Sequence, residues 1–419
     1  MYIRVLSVEE NHKLTLTTRT FANLTRTNFV NTMSEQKLQI VMFSMSSYSE
    51  WQAGVQNRNY HILQNLIKDE RVGKVITVDY LPPTWKRFYK NWQRNILAKT
   101  AGEITVSNPL VKIIKISDKL TVYSSVFSKI SKKKFYGQLK RFLSREKFKN
   151  FIVWSYYPLD VDYFKELPAK LFIFDTVDNW CEHPSYEKFK NQLKENYQII
   201  DRQADLIFTV SADLQKLYED SNKVYWISNG VDLKHYQQSY PIINRDIGEI
   251  KKPIIGYVGT IQDRLDQDLL EYLAKSNPDK SIVMVGPIWY PQIKERFKKF
   301  SNIYFLGRKS YEEVPMYIQQ FDVGIIPHKI DKFIKSTNPM KMYEYLACQK
   351  PVVSTAGGDI EQFKDLVYIT NDFKQFNDYL QKALKDDNHQ LKERRLASVK
   401  DHSWLKKVEE MLNLLEQKL

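Results

Sequence analysis

The amino-acid sequence predicts an α/β protein of two domains, each built around a parallel sheet. The chain has 419 residues, 43% of them hydrophobic, which is more than one hydrophobic core usually serves. Short apolar runs alternate with helical patterns through both halves, and this alternation is typical of βαβ units. A polar stretch from Pro241 to Lys252 separates the halves, and we interpret it as a linker.

The first half opens with a polar, threonine-rich stretch, residues 1–35, for which we expect a loose extension before a first domain at 36–240. The apolar run from Leu38 to Met45 predicts a buried parallel strand, followed by a loop containing Gly54 and a helix from Arg58 to Lys68. Further strands of this domain are predicted at Val75–Val78, Phe151–Trp154, Leu171–Phe174, Leu206–Val210 and Val224–Ile227.

The second domain is predicted at 241–400, and its strands carry glycines at or near their ends. The predicted strands are Ile254–Val258, Ser281–Val285, Ile303–Leu306 and Val323–Ile326. Gly259, Gly286 and Gly307 mark loops of the kind that bind ligands in open α/β sheets, and Asp263 is predicted to cap the helix after the first of them. The last segment, 401–419, is predicted to be a helix with one apolar side formed by Trp404, Val408, Met411, Leu412 and Leu415.

The stretch from Ser336 to Thr355, STNPMKMYEYLACQKPVVST, predicts a helix that binds an anion. Its polar start suits a cap, and Pro339 suits the first helical position. Lys341 and Glu344 share a face near that N-terminus, where free N–H groups and the helix dipole favour negative charge. A nucleoside diphosphate fits, with phosphate on Lys341 and ribose hydroxyls on Glu344. A solvated lysine and a helix-supporting glutamate are the alternative for such a pair.

The string P-x-K-x-x-E-Y-L-A-x-x-K-P-V-V-S resembles the donor-nucleotide motif of GT-B glycosyltransferases. Residues 254–286 are similar to the first βαβ unit of their C-terminal domain, and 227–232 to the segment that leaves their N-terminal domain. The resemblance covers roughly 37–419 and is strongest to bacterial cell-surface polysaccharide enzymes, such as the teichuronic acid glycosyltransferases and the xanthan glucuronosyltransferase. It implies two Rossmann-like domains facing across a cleft, with the final helix crossing back to the first.

The resemblance also implies the chemistry, which is transfer of a sugar from a nucleotide-sugar, with uridine as the expected base and no metal or other cofactor. The acceptor would be a glycan or a lipid-linked sugar. The donor-binding residues that the resemblance indicates are Asn338, Met340, Lys341, Glu344, Gly259 and Arg264.

Inverting transfer needs a base for the acceptor proton. The string FDTVDNWCEH follows a predicted strand of the first domain, and similar Asp-rich turns hold the proposed catalytic aspartate in the xanthan-type relatives. We predict that Asp178 is this base, whereas Asp175 directly follows the strand and suits a capping role.

Departures from the retaining enzymes of this fold favour inversion. Those enzymes usually carry a glutamate eight positions before the residue that matches Glu344, where this chain has Ser336. They also tend to place an arginine and a lysine in the first loop of the second domain, where Thr260 and Asp266 stand here. Arg264 is the only cation of that loop.

The formal charge of +14 implies an anionic partner, and one segment suggests which kind. Residues 82–99 place aromatic and apolar side chains on one helical face, with Lys86, Arg87, Lys90 and Arg94 on the others, which suits an anionic membrane surface. Packing of that face into the core is the alternative. Nucleic-acid binding is not expected, because no recognition module is evident. We expect a cytoplasmic protein, peripheral on the inner face of the plasma membrane, since no apolar run approaches the length of a span.

Three other functions fit parts of the sequence. Asp160-Val161-Asp162 matches the D-x-D metal motif of GT-A enzymes, although the stretch around Lys341 has no place in that fold. A UDP-sugar 2-epimerase would turn over sugar nucleotide without an acceptor. A noncatalytic partner of another glycosyltransferase would bind donor and stay inactive.

Overall fold

The computed structural model describes residues 37–80, 85–238 and 245–419, and these residues form two α/β units. The predicted extension and residues 241–244 of the predicted linker therefore lie outside the described residues, and the predicted domain boundaries stay a prediction. The described strands are β1 (Leu38–Ser44), β2 (Val72–Asp79), β3 (Glu103–Ser107), β4 (Val111–Lys115), β5 (Leu120–Ser125), β6 (Ile152–Ser155), β7 (Leu171–Thr176), β8 (Leu206–Thr209), β9 (Val224–Trp226), β10 (Ile254–Val258), β11 (Ser281–Val285), β12 (Ile303–Gly307), β13 (Val323–Ile326), β14 (Val352–Ser354) and β15 (Val367–Ile369).

Helices pack on both sheets, and most are short. Those described are α1 (Tyr48–Gln52), α2 (Arg58–Leu66), α3 (Trp85–Trp92), α4 (Phe127–Ile130), α5 (Lys132–Arg145), α6 (Tyr163–Glu166), α7 (Lys190–Gln203), α8 (Ala212–Gln215), α9 (Leu233–Tyr236), α10 (Arg245–Gly248), α11 (Gln267–Ser276), α12 (Pro291–Phe297), α13 (Val314–Gln320), α14 (Lys332–Ser336), α15 (Met340–Ala347), α16 (Phe373–Asp386), α17 (His389–Ser398) and α18 (Trp404–Glu416). Within the described ranges, no helix is both long and apolar enough to cross a membrane.

In the part of the chain that the structure describes, the first sheet has the order β3-β4-β5-β2-β1-β6-β7-β8-β9. The pairs from β5 to β9 are parallel, which agrees with the predicted buried strands β1, β2, β6, β7, β8 and β9, whereas β5 was not predicted. Strands β3 and β4 form an antiparallel hairpin that extends the sheet, and sequence reasoning missed it. Strand β3 is exposed at every residue, so it lacks the buried apolar face that a strand prediction depends on.

The second sheet has the order β12-β11-β10-β13-β14-β15, and each of its pairs is parallel. All its strands therefore end at the same edge. In a doubly wound sheet the ligand crevice lies outside these carboxyl ends, where the strand order reverses. The reversal falls between β10 and β13, so the loops after these two strands define the candidate site.

The final helix crosses back to the first domain, as the resemblance implied. Helix α18 belongs by sequence to the end of the second half, yet its apolar side packs into the core of the first sheet. The five side chains predicted to form that side are all 2% exposed or less. Ser403 caps the helix by accepting a hydrogen bond from the backbone N–H of Lys406 at 3.3 Å.

Three local predictions need correction. Asp266, not Asp263, caps α11, because its side chain accepts from the N–H groups of Asp268 and Leu269. Pro339 is the N-cap of α15 rather than its first helical residue. Residues 82–84 of the helix predicted at 82–99 lie outside the described residues, and the rest is α-helical over Trp85–Trp92 and π-helical over Gln93–Leu97.

Candidate active site

Helix α15 presents Lys341 and Glu344 to the cleft, and both side chains are half-buried. The pKa of Lys341 is lowered to about 8, chiefly by burial and also by the charge of Arg264, while the charge of Glu344 opposes the shift. The ammonium lies 5.4 Å from the ring centroid of Tyr257. Among the described residues, no side chain caps the N-terminus of α15, so its first N–H groups stay available to an anion.

Glu344 lies one turn further along the same face. Burial raises the pKa of this carboxyl, while the charge of Lys341 and a hydrogen bond from the Tyr236 hydroxyl oppose the rise. Tyr236 ends the short helix α9 and is 3% exposed. Its hydroxyl orients the carboxylate, which is what a ribose-binding acceptor requires.

Two glycine turns allow the strand ends to approach α15 closely. Gly259 has φ +141°, and a Cβ there would lie 3.2 Å from Cε of Lys341. Gly286 has φ +148°, and a Cβ there would lie 2.0 Å from the carbonyl oxygen of Gly259. Only glycine fits both positions, so the Gly259 turn packs against the ammonium end of the Lys341 side chain and the Gly286 turn packs against Gly259.

Arg264 is held in the loop that follows Gly259. Its carbonyl accepts a hydrogen bond from the N–H of Lys329 at 2.8 Å, which ties the loop after β10 to the loop after β13. The side-chain oxygen of Gln262, with its amide oriented toward the guanidinium, accepts from Nε and Nη2 of Arg264 at 2.6 and 2.9 Å. The guanidinium and the Lys341 ammonium thus converge on one end of the sheet.

Asp178 comes from the first domain and meets this cation across the cleft. Burial raises the pKa of the Asp178 carboxyl, and the charge of Arg264 opposes that rise. The backbone carbonyl of Asp178 accepts a hydrogen bond from the Tyr197 hydroxyl at 3.2 Å, which holds the loop after β7. The structure therefore brings together Asp178, Arg264 and Lys341, three residues that are distant in the sequence.

Asp175, the neighbouring acid, is fully buried and does not cap a turn, contrary to the alternative considered for it. Both its carboxylate oxygens accept from Nε of Arg58 at 3.0 Å, and the two side chains are 0% and 1% exposed. Nη1 of Arg58 donates to the carbonyl of Ser228 at 3.1 Å and to Oδ1 of Asn229 at 3.3 Å. Asp175 thus holds Arg58 in place, and Arg58 in turn binds the segment at Ser228 and Asn229 that leaves the first domain.

Asn338 and Met340 lie at the contact between the domains. Asn338 is 4% exposed and accepts two hydrogen bonds from Asn229. Met340 is half-buried and packs against the core of the first sheet. Asp160 and Asp162 both pair with Lys132, at 3.2 and 2.9 Å, which accounts for the D-x-D string as a structural ion pair.

Sequence reasoning missed three residues of the site. Tyr236 orients Glu344, Tyr257 lies under Lys341, and His328 lies buried at the end of β13. Tyr257 sits inside an apolar strand, where nothing distinguishes it from core. Tyr236 lies 108 residues before Glu344, and His328 lies 13 residues before Lys341, so only the fold brings them to α15.

Two parallel-sheet domains that face across a cleft, with a terminal helix returning to the first, define the GT-B fold. The chain also matches the family model described as glycosyl transferases group 1, over residues 252–386. Residues 252–386 thus match a group 1 glycosyl transferase domain, and the chain as a whole has the GT-B fold.

The putative teichuronic acid biosynthesis glycosyltransferase TuaH of Bacillus subtilis is 27% identical over 202 residues, which cover 44% of this chain and 50% of that protein. The chain thus spans about half the length of this curated relative. Among solved structures, HepE of Anabaena, in complex with UDP and glucose, has a TM-score of 0.63 at 13% identity, over 90% of this chain and 99% of HepE. Sucrose-phosphate synthase of Thermosynechococcus elongatus has a TM-score of 0.63 at 14% identity, over 91% and 99%.

Proposed function

We propose that this chain transfers a sugar from a UDP-sugar to a glycan or lipid-linked acceptor in bacterial surface polysaccharide synthesis, with inversion at the anomeric carbon. The observation that carries the proposal is the position of Asp178 in the first domain, near enough to Arg264 of the second for the guanidinium charge to oppose the rise in the pKa of that carboxyl. A carboxylate that faces the cations of a diphosphate site is placed to receive the acceptor proton while the diphosphate departs.

The donor half of the proposal rests on α15 and the loops beside it. We propose that Lys341, Arg264 and the free N–H groups of α15 hold the diphosphate. Glu344 then accepts hydrogen bonds from the ribose hydroxyls. UDP is favoured because HepE was solved with UDP and glucose, and because a trehalose-phosphate synthase of the same fold is described as UDP-forming. The polysaccharide context rests on the similarity to TuaH.

Inversion is supported by Ser336, which stands at the position where retaining enzymes of this fold usually carry a glutamate. Ser336 is fully buried at the end of α14, and its hydroxyl donates to the carbonyl of Phe333 at 2.7 Å. It carries no charge that could act on the donor sugar. Asp178, whose pKa is raised by burial, is a stronger base than a solvated aspartate. We propose metal-independent transfer, because two cations and a helix N-terminus stand where a metal would otherwise neutralise the leaving group.

A membrane-facing acceptor is supported by one edge of the first domain, which exposes apolar side chains and lysines together. The elements that carry these side chains contact one another. The Nε1–H of Trp92 donates to the carbonyl of Pro109 at 2.8 Å, and the N–H of Val126 to the carbonyl of Leu110 at 2.9 Å. Lys90 and Lys99 are exposed beside them. We name this surface the hairpin edge; its exposed apolar residues are Tyr89, Leu97, Ile104, Val106, Leu110 and Ile130.

The test is transfer from a panel of UDP-sugars to lipid-linked and soluble glycan acceptors, with the product anomer read by NMR. The expected product has the anomeric configuration opposite to that of the donor. Retention of configuration would overturn the mechanism. Turnover of UDP-sugar without acceptor would instead indicate an epimerase, and donor binding without any turnover would indicate a noncatalytic partner.

A further inference from the structure

His328 lies just beyond the end of β13, at the switch point of the second sheet, and its main chain is fixed. Its N–H donates to Oγ1 of Thr355 at 3.1 Å, and its carbonyl accepts from the same hydroxyl at 2.8 Å. It also forms a β-bridge with Leu265, in the loop that carries Arg264. The imidazole is therefore held in place between two ligand loops, and the residue is 4% exposed.

The imidazole has an unused hydrogen-bonding atom. Across the described residues, Nε2 of His328 has no hydrogen-bond partner. Buried polar atoms are nearly always paired, because leaving one unpaired forfeits its interaction with water. A buried nitrogen that stays unpaired beside a ligand site is the kind of atom that a bound ligand completes.

The surroundings of the ring decide which ligand group suits it. Burial lowers the pKa of His328, and the charges of Lys341 and Arg264 lower it further, so the ring is neutral. A neutral imidazole offers one N–H donor and one acceptor. Between two cations the local field favours an anion, and an anion requires the donor N–H.

We propose that His328 is a ligand of the donor diphosphate, and that its Nε2–H donates a hydrogen bond to the phosphate that bridges to the sugar. The inference rests on the proposed function, since it adds a third group to the diphosphate site that Lys341 and Arg264 form. His328 then stabilises the leaving group without carrying charge of its own, and the ribose and base lie beyond its reach near Glu344.

A purely structural histidine would behave differently, and two variants separate the roles. His328→Leu removes both nitrogens and keeps an apolar side chain of similar reach. His328→Gln keeps an N–H at about the position of Nε2. Lys341→Ala serves as the positive control for loss of a phosphate ligand.

The experiment is calorimetric titration of the full chain with UDP and with UMP, together with thermal unfolding of the nucleotide-free proteins. We expect His328→Leu to bind UDP about ten- to hundredfold more weakly, to bind UMP as the wild type does, and to unfold at the same or a higher temperature. His328→Gln should recover part of the UDP affinity. Unchanged UDP affinity in His328→Leu, or an equal loss of UDP and UMP affinity with a lower unfolding temperature, would overturn the proposal.

A failure of the proposed function would look different. If the wild type and Lys341→Ala bind UDP equally weakly, no donor site exists here, and the role of His328 falls with it. If Lys341→Ala loses UDP affinity and His328→Leu does not, the donor site stands and only the inference about His328 is wrong.

Discussion

Asn229 and Asn338 join the two domains by two hydrogen bonds, both donated by Asn229. The backbone N–H of Asn229 donates to Oδ1 of Asn338 at 3.0 Å, and Nδ2 of Asn229 donates to the carbonyl of Asn338 at 2.6 Å. Oδ1 of Asn229 in turn accepts from Arg58, whose guanidinium holds Asp175. The start of α15 is thereby fixed to the interior of the first domain, so the donor helix and the loop that carries Asp178 share one buried support.

Replacement of Asn338 by alanine should weaken this support. The N–H of Asn229 would be left buried without its acceptor, which typically costs about 1–3 kcal/mol. Urea unfolding followed by tryptophan fluorescence measures the loss. Asn222→Ala is the matched control, since Asn222 is exposed and forms hydrogen bonds through its backbone N–H and carbonyl. Equal unfolding midpoints for the two variants would show that the pair contributes nothing to stability.

Removing one partner of the Arg58–Asp175 ion pair should destabilise the protein strongly, whereas replacing both partners by apolar residues should destabilise it much less. Asp175→Leu alone leaves a buried guanidinium without its carboxylate, and such losses cost about 3–5 kcal/mol. The double variant Arg58→Met, Asp175→Leu removes both charges and should recover much of that free energy of unfolding. If the double variant is as unstable as the sum of the two single variants, the pair is not coupled as described.

UDP binding should weaken as the pH rises through 8. Only protonated Lys341 attracts the diphosphate, and its pKa is lowered to about 8, so at pH 9 about a tenth of the side chains carry charge. Affinity should therefore fall about tenfold between pH 7 and pH 9. Lys341→Arg stays charged over this range and should flatten the profile. A wild-type affinity that is constant from pH 7 to pH 9, measured by calorimetry, would contradict the contact.

Replacement of Asp178 by asparagine should abolish most transfer and leave the fold and donor affinity intact. A positioned base typically supplies about 10² to 10⁴ in rate, and asparagine cannot accept the acceptor proton. Glu182→Gln, in the same loop, is the control, since Glu182 lies 3.7 Å from Lys190 in an ion pair and is half-buried. Rates are compared at saturating donor. Full activity in the Asp178 variant would exclude it as the base.

The parts of the fold that the sequence predicted are those with strong local patterns. Strands β11 and β13 begin and end where predicted, because each is an apolar run bounded by polar residues or glycine. Strand β3 of the hairpin escaped prediction because Glu103–Ser107 is exposed at every residue and is held by pairing with β4. Strand β4 is buried at its centre, but its apolar run is only Ile113 and Ile114 between lysines, which is too short to stand out.

The residues of the candidate site also fall into two groups, those marked by a local sequence pattern and those brought together only by the fold. Lys341 and Glu344 were predictable because one helix fixes their spacing. His328 and Tyr236 reach that helix only through the fold, and no local pattern marks them. Asn338 shows the opposite case, since its neighbours in sequence pointed to a donor ligand while its buried contacts with Asn229 place it between the domains.

The last prediction concerns the hairpin edge and the acceptor. Anionic lipid attracts each nearby Lys or Arg with about 1 kcal/mol, so Lys86, Arg87, Lys90 and Arg94 together would supply about 4 kcal/mol, roughly a thousandfold in partitioning. Arg94 lies 3.7 Å from Glu50, so the other three are expected to supply most of it. Exposed Tyr89 and Leu97 would add apolar contact with the bilayer.

Changing these four cations to glutamine should therefore release the protein from liposomes that contain acidic lipid, as measured by co-sedimentation, without altering UDP affinity. The matched control removes the same charge from the second domain, where Lys382, Lys385, Lys392 and Arg394 are all exposed, and it should leave binding nearly unchanged. This comparison distinguishes membrane binding through the hairpin edge from a general attraction that the net charge of +14 would produce at any surface of the protein. If both variants lose liposome binding equally, the attraction is nonspecific. If the wild type ignores such liposomes at physiological salt, the hairpin edge does not meet a membrane, and a soluble acceptor follows.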